Sequence, residues 1–203
     1  MVATETTDQS NDRSSVRLLP LSRDPFPAPT DRDMLPSERR LFVRTHRTAV
    51  FGYGRRLDGP AMSVVYYIPA ENDDLLVATM AGRAKAKAVS RNGRVSICVL
   101  DETWPFSYLQ VYCDATVDDD GETLVDVMMA VAERMSGEPL DPSLRPMVAA
   151  VAKDEERVLL RCRPYATFVT PPRHLHRNDQ EEALTHWLSA AMPWDALDSP
   201  AKP

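Results

Sequence analysis

Residues 75–94 give the strongest constraint on the fold of this chain. In this segment a short apolar strand is followed by a glycine and then by a basic helix. Leu75, Leu76 and Val77 are contiguous and apolar, which is typical of a strand. The strand pattern stops at residues 80–82, and a short helix follows. The segment after Gly82 carries five cations: Arg83, Lys85, Lys87, Arg91 and Arg94.

The start of a helix is an unfavourable place for cations unless an anion lies nearby. The first backbone N–H groups of a helix have no partner within it, and the helix dipole adds partial positive charge there. Phosphate is the usual anion that compensates. We therefore interpret residues 79–87 as a phosphate-binding cradle and refer to them as the cradle. The alternative, that these cations form an ordinary solvated helix face, stays open at this point.

The position of Lys85 on the helical wheel favours the cradle. Lys85 lies on the less polar side of the helix, one turn before Val89, whereas Arg83, Lys87 and Arg91 share the opposite stripe. A lysine that turns inward needs a partner, because burying its charge unpaired is expensive.

Composition excludes several classes of function. The chain has 203 residues, enough for one domain with tails, and a formal net charge of −6. Proteins that bind nucleic acid or acidic membranes generally need a basic balance, so we expect neither partner here and expect any basic site to be local. No run of about 18 apolar residues is present to span a membrane. The polar N-terminus lacks a secretion signal, which predicts a cytoplasmic protein.

Cysteine and histidine usage predicts no metal site. The three cysteines, Cys98, Cys113 and Cys162, lie inside apolar runs without close spacing, so we expect reduced core residues rather than disulfides or metal ligands. His174 and His176 lie two positions apart, but no cysteine or acidic cluster accompanies them.

Changes in pattern along the chain predict one domain with two extensions. Residues 1–33 are rich in Ser, Thr, Asp and Pro, so we expect a largely disordered N-terminal extension. Residues 34–172 form the domain. Residues 173–203 form a tail with an amphipathic helix over residues 180–192, whose apolar face includes Trp187.

Within the domain, hydrophobic periodicity predicts seven strands and four helices. The strands lie over residues 49–53, 62–68, 75–79, 94–100, 107–117, 157–161 and 165–170. The helices are one starting at Pro36 or Ser37, the basic helix, one following the acidic turn 118–121, and one over 143–153. The first five strands are expected to form a meander. The whole indicates a small antiparallel β-barrel with peripheral helices.

Three local signals add detail. Asn92-Gly93 is expected to end the basic helix as a C-cap. Pro164 is expected to separate the last two strands. Met128 and Met135 lie on the apolar stripe of the helix that follows the acidic turn, and we assign them to the core.

The order of these segments resembles a known family. The residues that carry the resemblance read FVRTHRTAVFGYG, LDGPAMSVVYYIP, LLVATMAGRAKAKAVSRNGRVSICVLDE, FSYLQVYCDATV and RVLLRCRPYATFVTPP. They are similar to the pyridoxamine 5′-phosphate oxidase-like split β-barrels that bind flavins. More narrowly, GRAKAKAVSRNGRVSI resembles the actinobacterial branch that uses the deazaflavin coenzyme F-420. The resemblance covers about residues 38–172.

The resemblance implies an antiparallel split β-barrel, a homodimer and a cofactor site at the groove between subunits. The implied cofactor-binding residues are Ser63, Val64, Val65, Thr79, Arg83, Lys85, Lys87, Phe106 and Tyr108. Arg83 and Lys85 take the place of the family's phosphate-binding cations, and Thr79 that of a hydroxyl donor. Tyr108 is also a candidate proton donor, and Trp104 lies close enough to share the aromatic role.

The implied function is hydride transfer between reduced F-420 and a small conjugated acceptor. In such an enzyme the cofactor carries the reactive chemistry, and the protein holds the ring, excludes water and orients the acceptor. Two alternatives remain: an FMN-binding flavoprotein of the same fold, and a non-catalytic cofactor-binding protein. The expected partners are a second copy of the chain and the small-molecule acceptor.

Overall fold

The computed structural model describes residues 16–20, 34–102, 107–169 and 191–198. Its strands are β1 (Thr48–Tyr53), β2 (Ala61–Tyr66), β3 (Ile68–Pro69), β4 (Leu75–Met80), β5 (Arg94–Asp101), β6 (Ser107–Asp118), β7 (Arg157–Phe168) and β8 (Ala191–Pro193). Its helices are α1 (Pro36–Thr45), α2 (Ala84–Arg91), α3 (Gly121–Ser136) and α4 (Arg145–Asp154), with a 3₁₀ turn over Pro142–Leu144.

All strands belong to one antiparallel sheet in the order β2-β1-β5-β6-β7-β4-β3, and β8 pairs with β7. The mainly β fold class, an antiparallel half-barrel with peripheral helices, is confirmed. The expected five-strand meander is wrong, because β5 pairs with β1 and β4 pairs with β7. Helix α2 therefore connects two strands that β6 and β7 separate in the sheet.

The strand predicted over residues 62–68 is divided in two at Tyr67, so that β2 pairs with β1 and β3 pairs with β4. The side chain of Tyr67 is fully buried, and its hydroxyl donates to the Val43 carbonyl at 2.6 Å. The Tyr67 carbonyl accepts from Nη1 of buried Arg134 at 2.6 Å. These two bonds satisfy polar groups at the break and hold α1 and α3 against it.

Two apolar clusters stabilise the sheet. In the larger one, Phe42 of α1 and Val89 of α2 pack against strand residues that include Phe51, Ile97 and Leu109. In the smaller one, residues of α3 and α4 pack against β3, β4 and β7: Leu124, Val127, Ala152, Ile68, Leu76 and Leu159. The helix between β4 and β5 therefore has one buried side, and its other side faces away from the core.

Two local predictions need correction. Pro164 does not end a strand, because β7 continues through it; the register with β6 shifts at this point, so that Tyr165 is an extra residue between paired neighbours. Helix α2 ends at Arg91 with Asn92 as its cap, but the only described glycine with a positive φ is Gly137. Gly93 is therefore not a left-handed cap.

Parts of both extensions contact the domain. Leu18 forms a β-bridge with Ala70, and the Leu19 amide donates to the Pro69 carbonyl. The predicted helix over residues 180–192 is wrong at its end, because Ala191–Pro193 is a strand. The rest of that helix lies outside the described residues.

The described cysteines are all free, with Cys113 and Cys162 buried and Cys98 half-buried. Burial raises the pKa of each thiol. Among the helices of the described ranges, none has the length and apolar character needed to cross a membrane. The same residues hold no group of three His, Cys, Asp or Glu side chains arranged to bind a metal ion.

Candidate functional site

A cavity of about 420 Å³ opens beside the junction between β4 and α2. One part of its wall comes from Val64 and Val65 of β2, Thr79 at the end of β4, and Arg83 and Lys85 at the start of α2. The opposite part comes from α3 and from the first residue of β7. The volume lies within the range of small-molecule sites, about 300–1,000 Å³. Five of the nine cofactor-binding residues expected from the resemblance thus surround one cavity.

The other expected residues do not line this cavity or fall outside the described ranges. Ser63 is not part of the wall, and its buried hydroxyl has no hydrogen-bond partner among the described residues. Lys87 is exposed on the outer side of α2, and Tyr108 lies half-buried in β6, opposite β5. Phe106 and Trp104 lie outside the described residues.

Within the described ranges, no side chain caps the start of α2. Arg83 is the N-cap residue, with φ −74° and ψ 149°, and its guanidinium has only donors, so it cannot cap the amides of the helix. The first turn contains no acidic residue. The amides of this turn have no partner within the helix, so they are free to bind an anion. The Thr79 hydroxyl, on the strand that leads into this turn, also makes no hydrogen bond with a described residue.

Two cations at the cavity, Arg83 and Lys85, lack an acidic partner among the described residues. Their side chains form no ion pair or hydrogen bond with any residue of these ranges. Lys85 is half-buried, with its Nζ 5.9 Å from the centroid of the Phe51 ring. Burial, together with the neighbouring charge of Arg83, lowers the pKa of Lys85. An anion in the cavity would offset this electrostatic cost.

The basic helix therefore has two distinct faces. Arg83, which is exposed, and Lys85, which is half-buried, border the cavity. Lys87 and Arg91 are exposed and lie outside its wall, and Arg91 donates to the Gly54 carbonyl at 2.9 Å. The helical wheel placed Arg83 on the stripe of Lys87 and Arg91, but Arg83 borders the cavity together with Lys85. Lys85 lies on the less polar side, as the helical wheel predicted.

Sequence reasoning missed a third cation at the cavity, Arg157, the first residue of β7. Arg157 pairs with Met80 across the β4–β7 ladder, and the Ala81 amide donates to the Glu156 carbonyl at 2.8 Å. Arg157 follows the cradle by about seventy positions in the sequence, so no local pattern could have linked them. Only knowledge of the strand pairing would have placed it.

The methionines of α3 also differ from the prediction. Leu124 and Val127 of this helix are buried in the core, but Met135 is 63% exposed and lines the cavity, so its assignment to the core is wrong. Met128 is partly buried; it packs against the core on one side and borders the cavity on the other. Together with Val64 they add apolar surface to the wall of the cavity.

Fold and site together define a β half-barrel with a cavity at a strand-to-helix junction that is lined in part by cations. The chain belongs to the pyridoxamine 5′-phosphate oxidase family, whose sequence profile matches residues 35–168, more than half of the chain. A search of the curated proteins found no match.

Several solved structures have a similar fold. A conserved hypothetical protein from Mycobacterium tuberculosis, Rv2991, aligns with a TM-score of 0.61 at 24% identity, over 73% of this chain and 94% of its own. A heme binding protein from Mycobacterium smegmatis aligns with a TM-score of 0.52 at 12% identity, over 80% of this chain and 59% of its own. A FAD-binding protein from Mesorhizobium loti aligns with a TM-score of 0.50 at 16% identity, over 67% of this chain and 94% of its own. At these identities the likeness is one of fold alone.

Proposed function

We propose that this protein is an oxidoreductase that binds the deazaflavin coenzyme F-420 and transfers a hydride between it and a small conjugated acceptor. The observation that carries the proposal is the pair of cations, Arg83 and Lys85, which border the cavity at the start of α2 and have no acidic partner in the described part of the chain. Membership of a family of cofactor-binding split barrels supports it.

The residues present suit an anionic cofactor with a planar ring. The Arg83 guanidinium offers a fork of donors to phosphate oxygens, and the Lys85 ammonium offers a point charge. The Thr79 hydroxyl and the first amides of α2 add neutral donors. Val64 and Met135 provide apolar surface for a ring system, which would exclude water from it.

The chemistry divides between cofactor and protein. Bound F-420 would supply the hydride. The role of this chain is to hold the anionic part of the coenzyme at the cradle, to keep water away from the ring, and to orient the acceptor against it. Tyr108 lies outside the cavity wall, so the proposal assigns it no proton-transfer step.

The direct test is a titration of the purified protein with F-420 and, separately, with FMN. We expect F-420 to bind at least about tenfold more tightly, because its phosphodiester and carboxylate groups offer more negative charge to the cations than one phosphate does. Tighter binding of FMN, or yellow protein that retains FMN on purification, would favour the flavoprotein alternative. A protein that binds neither F-420 nor FMN would contradict both the deazaflavin proposal and the flavoprotein alternative, and it would then be a candidate for a non-redox role.

A second copy of the chain is the proposed partner. Met62 and Val64 on strand β2 are 71% and 74% exposed, and Tyr165 on the same side of the sheet is 43% exposed. Val64 also borders the cavity, so a copy covering these side chains would close one side of the site.

We expect Val64→Glu to convert a dimer into a monomer in sedimentation equilibrium and to weaken coenzyme binding. A wild-type chain that sediments as a monomer would contradict this.

A further inference from the structure

We propose that Arg157 is a third ligand-binding cation of the cavity, which binds a second negative charge of the ligand, and that Glu155 competes with the ligand for it. The inference rests on the proposed function, because it concerns the same ligand. It predicts a ligand class with more than one negative charge, since the described residues that line the cavity include three cations and no carboxylate.

The fold brings Arg157 to the cavity by a constrained turn. Helix α4 ends at Asp154, and Glu156 then adopts a left-handed conformation with φ 47°. For a residue other than glycine this conformation costs about 1–2 kcal/mol. The Glu156 carbonyl accepts a hydrogen bond from the amide of Ala81, in the turn that leads into the cradle. The strained turn therefore fixes Arg157 relative to the cradle.

The guanidinium of Arg157 is only partly used by the protein. Its Nε donates to Oε2 of Glu155 at 2.5 Å, and its two Nη groups make no hydrogen bond with a described residue. The side chain is 29% exposed and that of Glu155 is 34% exposed. The end of the guanidinium that carries the free donors is thus available to an oxygen of a ligand.

Glu155 moderates this third charge. Without it, Arg157 would add a full positive charge to a cavity in which burial, together with the charge of Arg83, already lowers the pKa of Lys85. With it, the ligand has to share Arg157 with a carboxylate, which weakens binding. Removing the arginine and removing the glutamate should therefore change affinity in opposite directions, an outcome that general damage to the turn would not produce.

The test is a set of titrations of the full-length protein with F-420, FMN and riboflavin, the last of which carries a ring but no anion. We expect Arg157→Gln to weaken F-420 binding about tenfold and Glu155→Gln to strengthen it about threefold. Neither substitution should change riboflavin binding. Lys153→Gln is the matched control, because it removes one positive charge four positions earlier, at an exposed residue outside the cavity wall, and should change no affinity.

The outcomes separate this inference from the proposed function. Unchanged F-420 affinity in Arg157→Gln, in a protein whose Arg83→Ala variant binds weakly, would overturn the inference and leave the function intact. An equal loss of riboflavin and F-420 affinity would also overturn it, since it would indicate a structural role. A wild-type protein that binds none of the three ligands would overturn both.

Discussion

Replacing Arg83 and Lys85 together with alanine is expected to weaken binding of F-420 by about 100-fold or more. A hydrogen bond to a charged group contributes about 1.5–3 kcal/mol, and the variant removes at least two of them. Neither side chain has an acidic partner among the described residues, so the loss falls on the ligand rather than on the fold. Isothermal titration of the purified protein measures the effect.

The same variant should be at least as stable as the wild type. Cations in the first turn oppose the helix dipole, and each such charge costs about 0.3–1 kcal/mol at low ionic strength. Removing them relieves this cost and the repulsion between the two side chains. Urea unfolding should therefore show an unchanged or higher free energy of unfolding. A large loss of stability would indicate that the cations serve the fold, and the cradle would then be wrong.

A matched control is available in Arg56 and Lys153. Both are exposed and lie outside the cavity wall, and replacing them with alanine removes the same two residue types and the same net charge. We expect the control to bind F-420 within about threefold of the wild type, because exposed charges are screened. Equal weakening in both double variants would attribute binding to net charge and contradict a defined site.

The charge state of Lys85 provides a second readout. Burial and the nearby Arg83 lower its pKa in the free protein, whereas a bound anion favours the charged form and raises it. Binding therefore takes up a proton at alkaline pH, and affinity should fall as the pH rises through the free-state pKa of Lys85. This alkaline loss should be absent from Lys85→Ala. If the single variant keeps the same alkaline profile, another group is responsible.

The grouping of three cavity-lining residues could be predicted from the sequence because they are close together in the chain. Thr79, Arg83 and Lys85 lie within seven positions, and strand and helix periodicity are enough to place them at one junction. Periodicity does not specify which strand pairs with which. The ladder between β4 and β7 brings Arg157 beside Met80, and this pairing was not expected because the early strands were assigned to a meander.

Contacts between distant residues also explain the break at Tyr67. The apolar run over residues 62–68 has the pattern of one strand, and nothing within it marks an interruption. The break depends on the hydrogen bonds of Tyr67 with Val43 and Arg134, which belong to helices on either side in sequence. Met135 is a similar case. Its helical spacing shows that it lies on the apolar stripe of α3, but not that it borders the cavity instead of the core.

The sequence analysis explains Gly93 as a helix cap, whereas the structure explains it by a close contact with β6. The two explanations predict different effects of substituting this glycine. The helix ends beside it, but Gly93 lacks the positive φ of a left-handed cap. Its carbonyl accepts from the Ala115 amide at 2.6 Å, and a Cβ at position 93 would lie 2.4 Å from the Ala115 carbonyl oxygen. The glycine is therefore required by the close approach of β6.

Gly93→Ala is expected to lower the free energy of unfolding by about 1–3 kcal/mol, the usual cost of forcing extra atoms into a packed region. The clash is with backbone of buried Ala115, which cannot rotate away as a flexible side chain would. Gly59→Ala is the control, because a Cβ there meets nothing within 4 Å, and its stability should equal or slightly exceed that of the wild type. Equilibrium unfolding in urea measures both.

Gly93→Asn decides between the two explanations. Asparagine tolerates the left-handed conformation, so it would be nearly neutral at a true C-cap. A close approach to β6 leaves no room for any Cβ, and Asn should then destabilise the protein at least as much as Ala does. Because Gly93 joins α2 to β5, the same clash should displace the end of the helix whose start forms the cradle. A stable Gly93→Asn variant would restore the capping explanation and remove the close approach as the reason for this glycine.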